Sequence, residues 1–69
     1  MAFDYSKLLG KIKEVYGTQG DFAVAIDMSE KTLSMKLNNK LAWKQTEIIK
    51  GCELLHISSK DIHRYFFTL

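Results

Sequence analysis

Sixty-nine residues make one domain with one modest core, and a chain of this size is only marginally stable without a staple or a partner. A single cysteine, Cys52, excludes an internal disulfide and suits a reducing cytosol, and no apolar run approaches the roughly 20 residues that span a bilayer, so a membrane role is not expected. The net charge of +2 is mild, but its distribution is not: Lys31, Lys36, Lys40, Lys44 and Lys50 fall in one stretch opposed only by Glu47. Such a local bias attracts phosphate, and an ordinary solvated lysine face is the alternative. The opening MAFDYSKLLG lacks the apolar segment of a secretory leader.

The periodicity is helical almost throughout. The first helix is expected from Asp4, a suitable N-cap, to about Tyr16, with Leu8, Leu9, Ile12, Val15 and Tyr16 on its buried face. Gly17 follows, where a left-handed C-cap is expected. The second helix starts at Gln19, because Thr18 and Asp21 have capping-box spacing. Phe22, Ala23 and Ile26 form its buried side, and Asp27-Met28-Ser29 reads as a turn. Ser29 then caps a third helix that runs to about Leu37, with Leu33 and Leu37 facing inward. Asn38-Asn39 ends it, since Asn tolerates the left-handed conformation. After the apolar loop Leu41-Ala42-Trp43, a fourth helix runs from about Lys44 to Leu55, with Ile48, Ile49, Cys52 and Leu55 inward. Ser58 caps a last short helix, again with an acid, Asp61, at the third position beyond. Ile57, Ile62, Tyr65, Phe66 and Phe67 make a dense apolar ending. It either folds back on the first helix or packs against a second copy. No strand is expected, outside the last five residues at most. Trp43 either closes the core between the third and fourth helices or stands out as an anchor for a partner.

Thr18 to Lys40 therefore reads as two short helices joined by a tight turn, the layout of a helix-turn-helix. With Leu33 and Leu37 inward, Glu30, Lys31, Ser34 and Met35 project from the third helix. A helix entering the major groove presents such residues to base edges. Lys31 is suited to guanine O6 or N7, Glu30 to a cytosine amino group and Met35 to a thymine methyl. Thr18, Gln19 and the first amides of the second helix are candidates for phosphate contacts, and Ser29, the cap of the third helix, is a further candidate DNA-binding residue. Lys36, Lys40, Lys44 and Gln45 are candidates for holding the backbone further along. No Ser-His-acid set, phosphate-cradling glycine loop or four-ligand metal spacing is present in the sequence. Cys52 and His56 share a helix face, but Cys52 lies on the apolar stripe. Neither an enzyme nor a cofactor is expected.

The runs Gln19-Gly20-Asp21-Phe22-Ala23 and Ile26-Asp27-Met28-Ser29 resemble the helix-turn-helix of phage repressors and Cro proteins. In that family Gln often opens the motif, a small residue (here Ala23) stands at the fifth position, and an apolar one (here Leu33) at the fifteenth. The ninth position usually holds Gly because φ is positive there. Asp27 occupies it here, at modest cost. LSMKLNNKLAWKQTEI, with the DYSKLLGKI opening and the YFF ending, resembles small Cro-like proteins of phages of Gram-positive bacteria. The resemblance covers nearly the whole chain. It implies an all-α, lambda-repressor-like domain of five short helices in the cytoplasm of a bacterial host. It implies sequence-specific binding to double-stranded operator DNA, as a homodimer or through dimerisation on DNA. It also carries a rival: small phage proteins of this kind act as antirepressors, docking on the DNA-binding domain of the lysogeny repressor. The mixed Glu30/Lys31 face and the lack of arginine in the third helix fit that rival.

Overall fold

The computed structural model describes residues 2–69. Five short helices follow one another: α1 (Ser6–Tyr16), α2 (Gln19–Ala25), α3 (Glu30–Leu37), α4 (Gln45–Leu55) and α5 (Ile62–Phe66). A single 3-10 turn, Ser59–Asp61, leads into α5, and no strand occurs among the described residues.

Helix ends follow the local chemistry of the sequence. Thr18 caps α2 by accepting the Asp21 N–H at 3.1 Å, and Ser29 caps α3 by accepting the Thr32 N–H at 3.1 Å. Gly17 closes α1 at φ 85°, donating its N–H to the Lys13 carbonyl at 2.9 Å. Asn39, rather than Asn38, takes the left-handed conformation after α3, at φ 62°. Two expected ends are displaced. Asp4 is not the N-cap of α1, because Tyr5 holds that position with its ring in the core. The Asp4 carboxylate accepts the Ser6 N–H at 2.9 Å, and this bond holds it below the usual carboxylate range. Ser58 precedes the 3-10 turn without a side-chain cap bond.

The core gathers Leu8 and Ile12 of α1, Phe22 and Ala23 of α2, Leu33 of α3, Cys52 and Leu55 of α4, and Phe66 of α5. Burial among these apolar neighbours pushes the Cys52 thiol up. Three expected core residues are outside it, Leu9 among them, which is only half buried. Val15 is exposed; the last turn of α1 packs through Tyr16, whose ring centroid lies 5.3 Å from that of Phe22. Ile49 is also exposed, because the buried stripe of α4 runs through Ile48, Gly51, Cys52 and Leu55 and leaves it on the flank.

The chain ending folds back on the chain's own N-terminal arm. Asp4 donates its N–H to the Thr68 carbonyl at 2.6 Å, and the Phe3 ring meets Phe67 edge-on at 5.8 Å. Phe66 is buried, whereas Phe67 is half exposed. Trp43 is largely enclosed between Tyr5, at 6.4 Å, and Phe66, at 5.1 Å. An aromatic seam thus joins the arm, the α3–α4 loop and α5.

Candidate functional site

α2, the turn and α3 form a packed pair of short helices. Asp27 takes φ 62° in the turn between them, as expected for that position. The Met28 N–H donates back to the Ala23 carbonyl at 2.9 Å, so the reversal is closed by the main chain. The caps and this bond set the direction in which α3 leaves α2.

Along α3 the expected site residues differ in availability. Glu30 and Lys31 are exposed at the helix start. Glu30 does not stand free: its carboxylate lies 3.4 Å from where a side-chain carbon on Gly20 would be. A negative group therefore rests on the first turn of α2, alongside the exposed Asp21. That charge opposes a phosphate at the α2 amides, and the Thr18 hydroxyl already serves one of them. Ser29 is likewise engaged, accepting from Thr32 N–H and donating to Thr32 Oγ1 at 2.9 Å. Ser34 and Met35 are half buried, and the Ser34 carbonyl accepts the Asn38 side-chain amide at 2.7 Å.

Lys36 corrects the expectation drawn from charge pattern. The charge pattern places it among residues that hold a DNA backbone, but it is buried, at 4% exposure. The ammonium donates to the Ala42 carbonyl at 2.9 Å and pairs with Glu47 at 2.8 Å, and it lies 6.0 Å from the Trp43 ring centre. Glu47 also accepts the Lys44 N–H at 2.8 Å, the half of a capping box that a lysine N-cap permits. Burial works to raise the Glu47 pKa. The Lys36 ammonium and the Lys44 amide outweigh it and hold the carboxyl below its ordinary range. Lys36 is therefore a fastening inside the fold, and the exposed cations of the stretch are Lys31, Lys40, Lys44 and Lys50. Gln45 and Thr18 are exposed at the starts of α4 and before α2, and Gln19 is half buried.

The family model described as "Protein of unknown function (DUF739)" matches residues 1–69. The chain belongs to this family. Its structure is also similar to the solution structure of the modulator of repression (MOR) of the temperate bacteriophage TP901-1 from Lactococcus lactis. The two chains are 52% identical and superpose with a TM-score of 0.85, over 97% of this chain and 90% of that one. Comparison with curated proteins gave no match. The resemblance to phage regulators thus holds at the level of a phage-derived relative across nearly the whole chain.

In this member of the DUF739 family, Asn39 and Trp43 complete the surroundings of the α3–α4 loop. Asn39 clasps the N-terminal arm: Phe3 donates its N–H to Asn39 Oδ1 at 2.9 Å, and Asn39 Nδ2 donates to the Phe3 carbonyl at 2.8 Å. In the sequence Asn39 signals only a helix end, and its reach across the fold has no local sequence signal. The indole N–H of Trp43 is buried without an acceptor among the described residues. An unmet buried donor costs about 1–3 kcal/mol, so this one stands out in a protein of this size. No helix among the described residues is long and apolar enough to cross a membrane.

Proposed function

We propose that this protein regulates a phage genetic switch by binding the phage's repressor protein, docking on its DNA-binding domain and changing its operator occupancy. The carrying observation is the likeness to the TP901-1 modulator of repression, at 52% identity across 97% of the chain. The charge arrangement supports it. With Lys36 paired internally and Glu30 lying against α2, the exposed start of α3 offers one free lysine among carboxylates and small polar groups. A mixed face of this kind suits a protein surface better than a phosphate backbone, which rewards several neutralising cations. The working place of such a regulator is the cytoplasm of the bacterial host.

Direct operator binding through a helix-turn-helix formed by α2 and α3 is the second reading. The capped helices, the positive φ at Asp27 and the exposed Lys31, Lys40 and Lys44 favour it. In that reading Lys31, Ser34 and Met35 supply base contacts and Thr18, Gln19, Lys40, Lys44 and Gln45 supply backbone contacts.

One titration separates the two. Isotope-labelled protein is mixed with the purified DNA-binding domain of the same phage's repressor, and separately with operator duplex, at near-physiological salt. The expected result is a saturating shift of resonances with the repressor domain, and release of labelled operator from that domain on adding this protein. Saturable binding to the operator alone, surviving that salt, would replace the proposal with the second reading.

A further inference from the structure

Beside the α3 face lies a second surface. The N-terminal arm, the α3–α4 loop and the chain ending form an open groove of about 270 Å³ with aromatic walls, lined by Phe3, Tyr5, Trp43 and Phe67 and with Asn39 and Lys40 as polar members. Leu41 and Phe67 border it with 42% and 50% of their surface exposed, so they extend the aromatic walls to the surface. Lys40 also lines it, no carboxylate does, and Lys44 stands exposed just beyond Trp43.

We propose that this groove receives one large apolar side chain from an acidic segment of the partner protein, an inference that rests on the repressor-binding reading above. Two observations choose that occupant. The volume suits a single anchoring side chain, the commonest core of a small protein interface. The rim carries lysine and no acid, so carboxylates beside the anchor complement it and a nucleic-acid backbone gains nothing from the apolar walls. The walls are built in advance: Asn39 ties down the arm, and the Lys36–Glu47 pair holds Ala42 and Trp43. Little ordering is left for binding to demand.

The test uses the full chain and the purified DNA-binding domain of the same phage's repressor. Leu41→Glu and Phe67→Glu place a carboxylate at the mouth on exposed positions, and Lys40→Glu reverses the rim. Lys31→Glu on α3 is the comparison variant. Thermal unfolding checks that each variant keeps its fold. The expected result is a loss of roughly tenfold or more in affinity for Leu41→Glu and Phe67→Glu. Lys40→Glu loses several-fold with a flatter salt dependence, and the Trp43 Nε1–H resonance of the wild type shifts on binding. Wild-type affinity in all three groove variants, with loss in Lys31→Glu, overturns the groove and leaves the repressor-binding reading intact. Absence of any wild-type binding overturns both. A Trp43 resonance that moves with the protein's own concentration, in the absence of the repressor domain, overturns the acidic-partner assignment in favour of a second copy.

Discussion

Lys31 and Lys36 stand on the same helix, and the fold treats them oppositely. Lys31 lies in solvent near the start of α3, where Ser29 provides the cap and Glu30 leans back on α2. Lys36 lies near the end of the helix, turned inward between Glu47, the Ala42 carbonyl and the Trp43 ring. The first end is shaped by short-range bonds that leave its charges available. The second is shaped by long-range bonds that consume them. A row of lysines in a sequence thus states how much positive charge the chain has, and only the partners decide how much of it reaches the surface.

The sharpest way to break this contrast is at the buried pair. Glu47→Gln keeps the size and an acceptor oxygen but leaves the Lys36 ammonium without a countercharge. Breaking a buried pair costs about 3–5 kcal/mol where no water reaches. Glu47 keeps 21% of its side-chain surface exposed and Gln still accepts, so a loss of about 2 kcal/mol is expected from denaturant unfolding at neutral pH. The pH dependence checks the cause. The carboxyl is held below its ordinary value of 4.5 in the folded state. The unfolded chain therefore takes up the proton first as pH falls. The stabilisation is complete above that ordinary value and is lost as pH drops through the lower folded value. The difference in stability between wild type and Glu47→Gln should accordingly shrink between pH 6 and pH 3. A difference that stays constant over that range would mean that the charge on Glu47 is not what holds the loop.

Much of the fold was legible because it rests on local chemistry. Thr18, Ser29 and Gly17 sit where helix ends need them, and each does the expected bonding. The Leu8, Ile12, Phe22, Leu33, Cys52 and Leu55 pattern picked out the core. Errors arose where spacing permits burial but no neighbour arrives, as at Val15 and Ile49. The candidate site was less legible. Exposure of Lys31 followed from its helix face and that of Lys40 and Lys44 from their places in the α3–α4 loop, whereas burial of Lys36 depends on Glu47 and Ala42, beyond its own helix. The apolar ending and Trp43 marked the seam in sequence. The groove they form with Phe3 needed the three segments to be brought together.

A smaller effect is expected from the clasp that also belongs to the long-range end of α3. Asn39→Ala removes both hydrogen bonds to the Phe3 main chain and puts a residue less tolerant of φ 62° in its place. Two exposed bonds and that conformational penalty together suggest a loss of about 1–2 kcal/mol. Asn39→Gly loses the same bonds but relieves the backbone, so it should be the milder of the two in thermal unfolding. Equal losses in both variants would assign the whole effect to the clasp, and a loss confined to Asn39→Ala would assign it to the turn.

The smallest effect is expected at the short-range end, in the turn that sets α3 against α2. Asp27 holds φ 62°, which costs most L residues roughly 1–2 kcal/mol and Asp somewhat less. Its carboxylate has no hydrogen-bond or ion-pair partner among the described residues, and it is exposed. Asp27→Gly removes that penalty but gives the unfolded chain more freedom, so the two contributions largely offset. A gain of about 0.5 kcal/mol or less is expected in denaturant unfolding, with the Met28 N–H bond to Ala23 retained. Such a gain means that the backbone conformation at this position is stored strain held by α2 and α3 packing. A clear loss would instead mean that the negative charge at Asp27 stabilises the turn directly, and the direction of α3 would then depend on a side chain where the main chain alone now accounts for it.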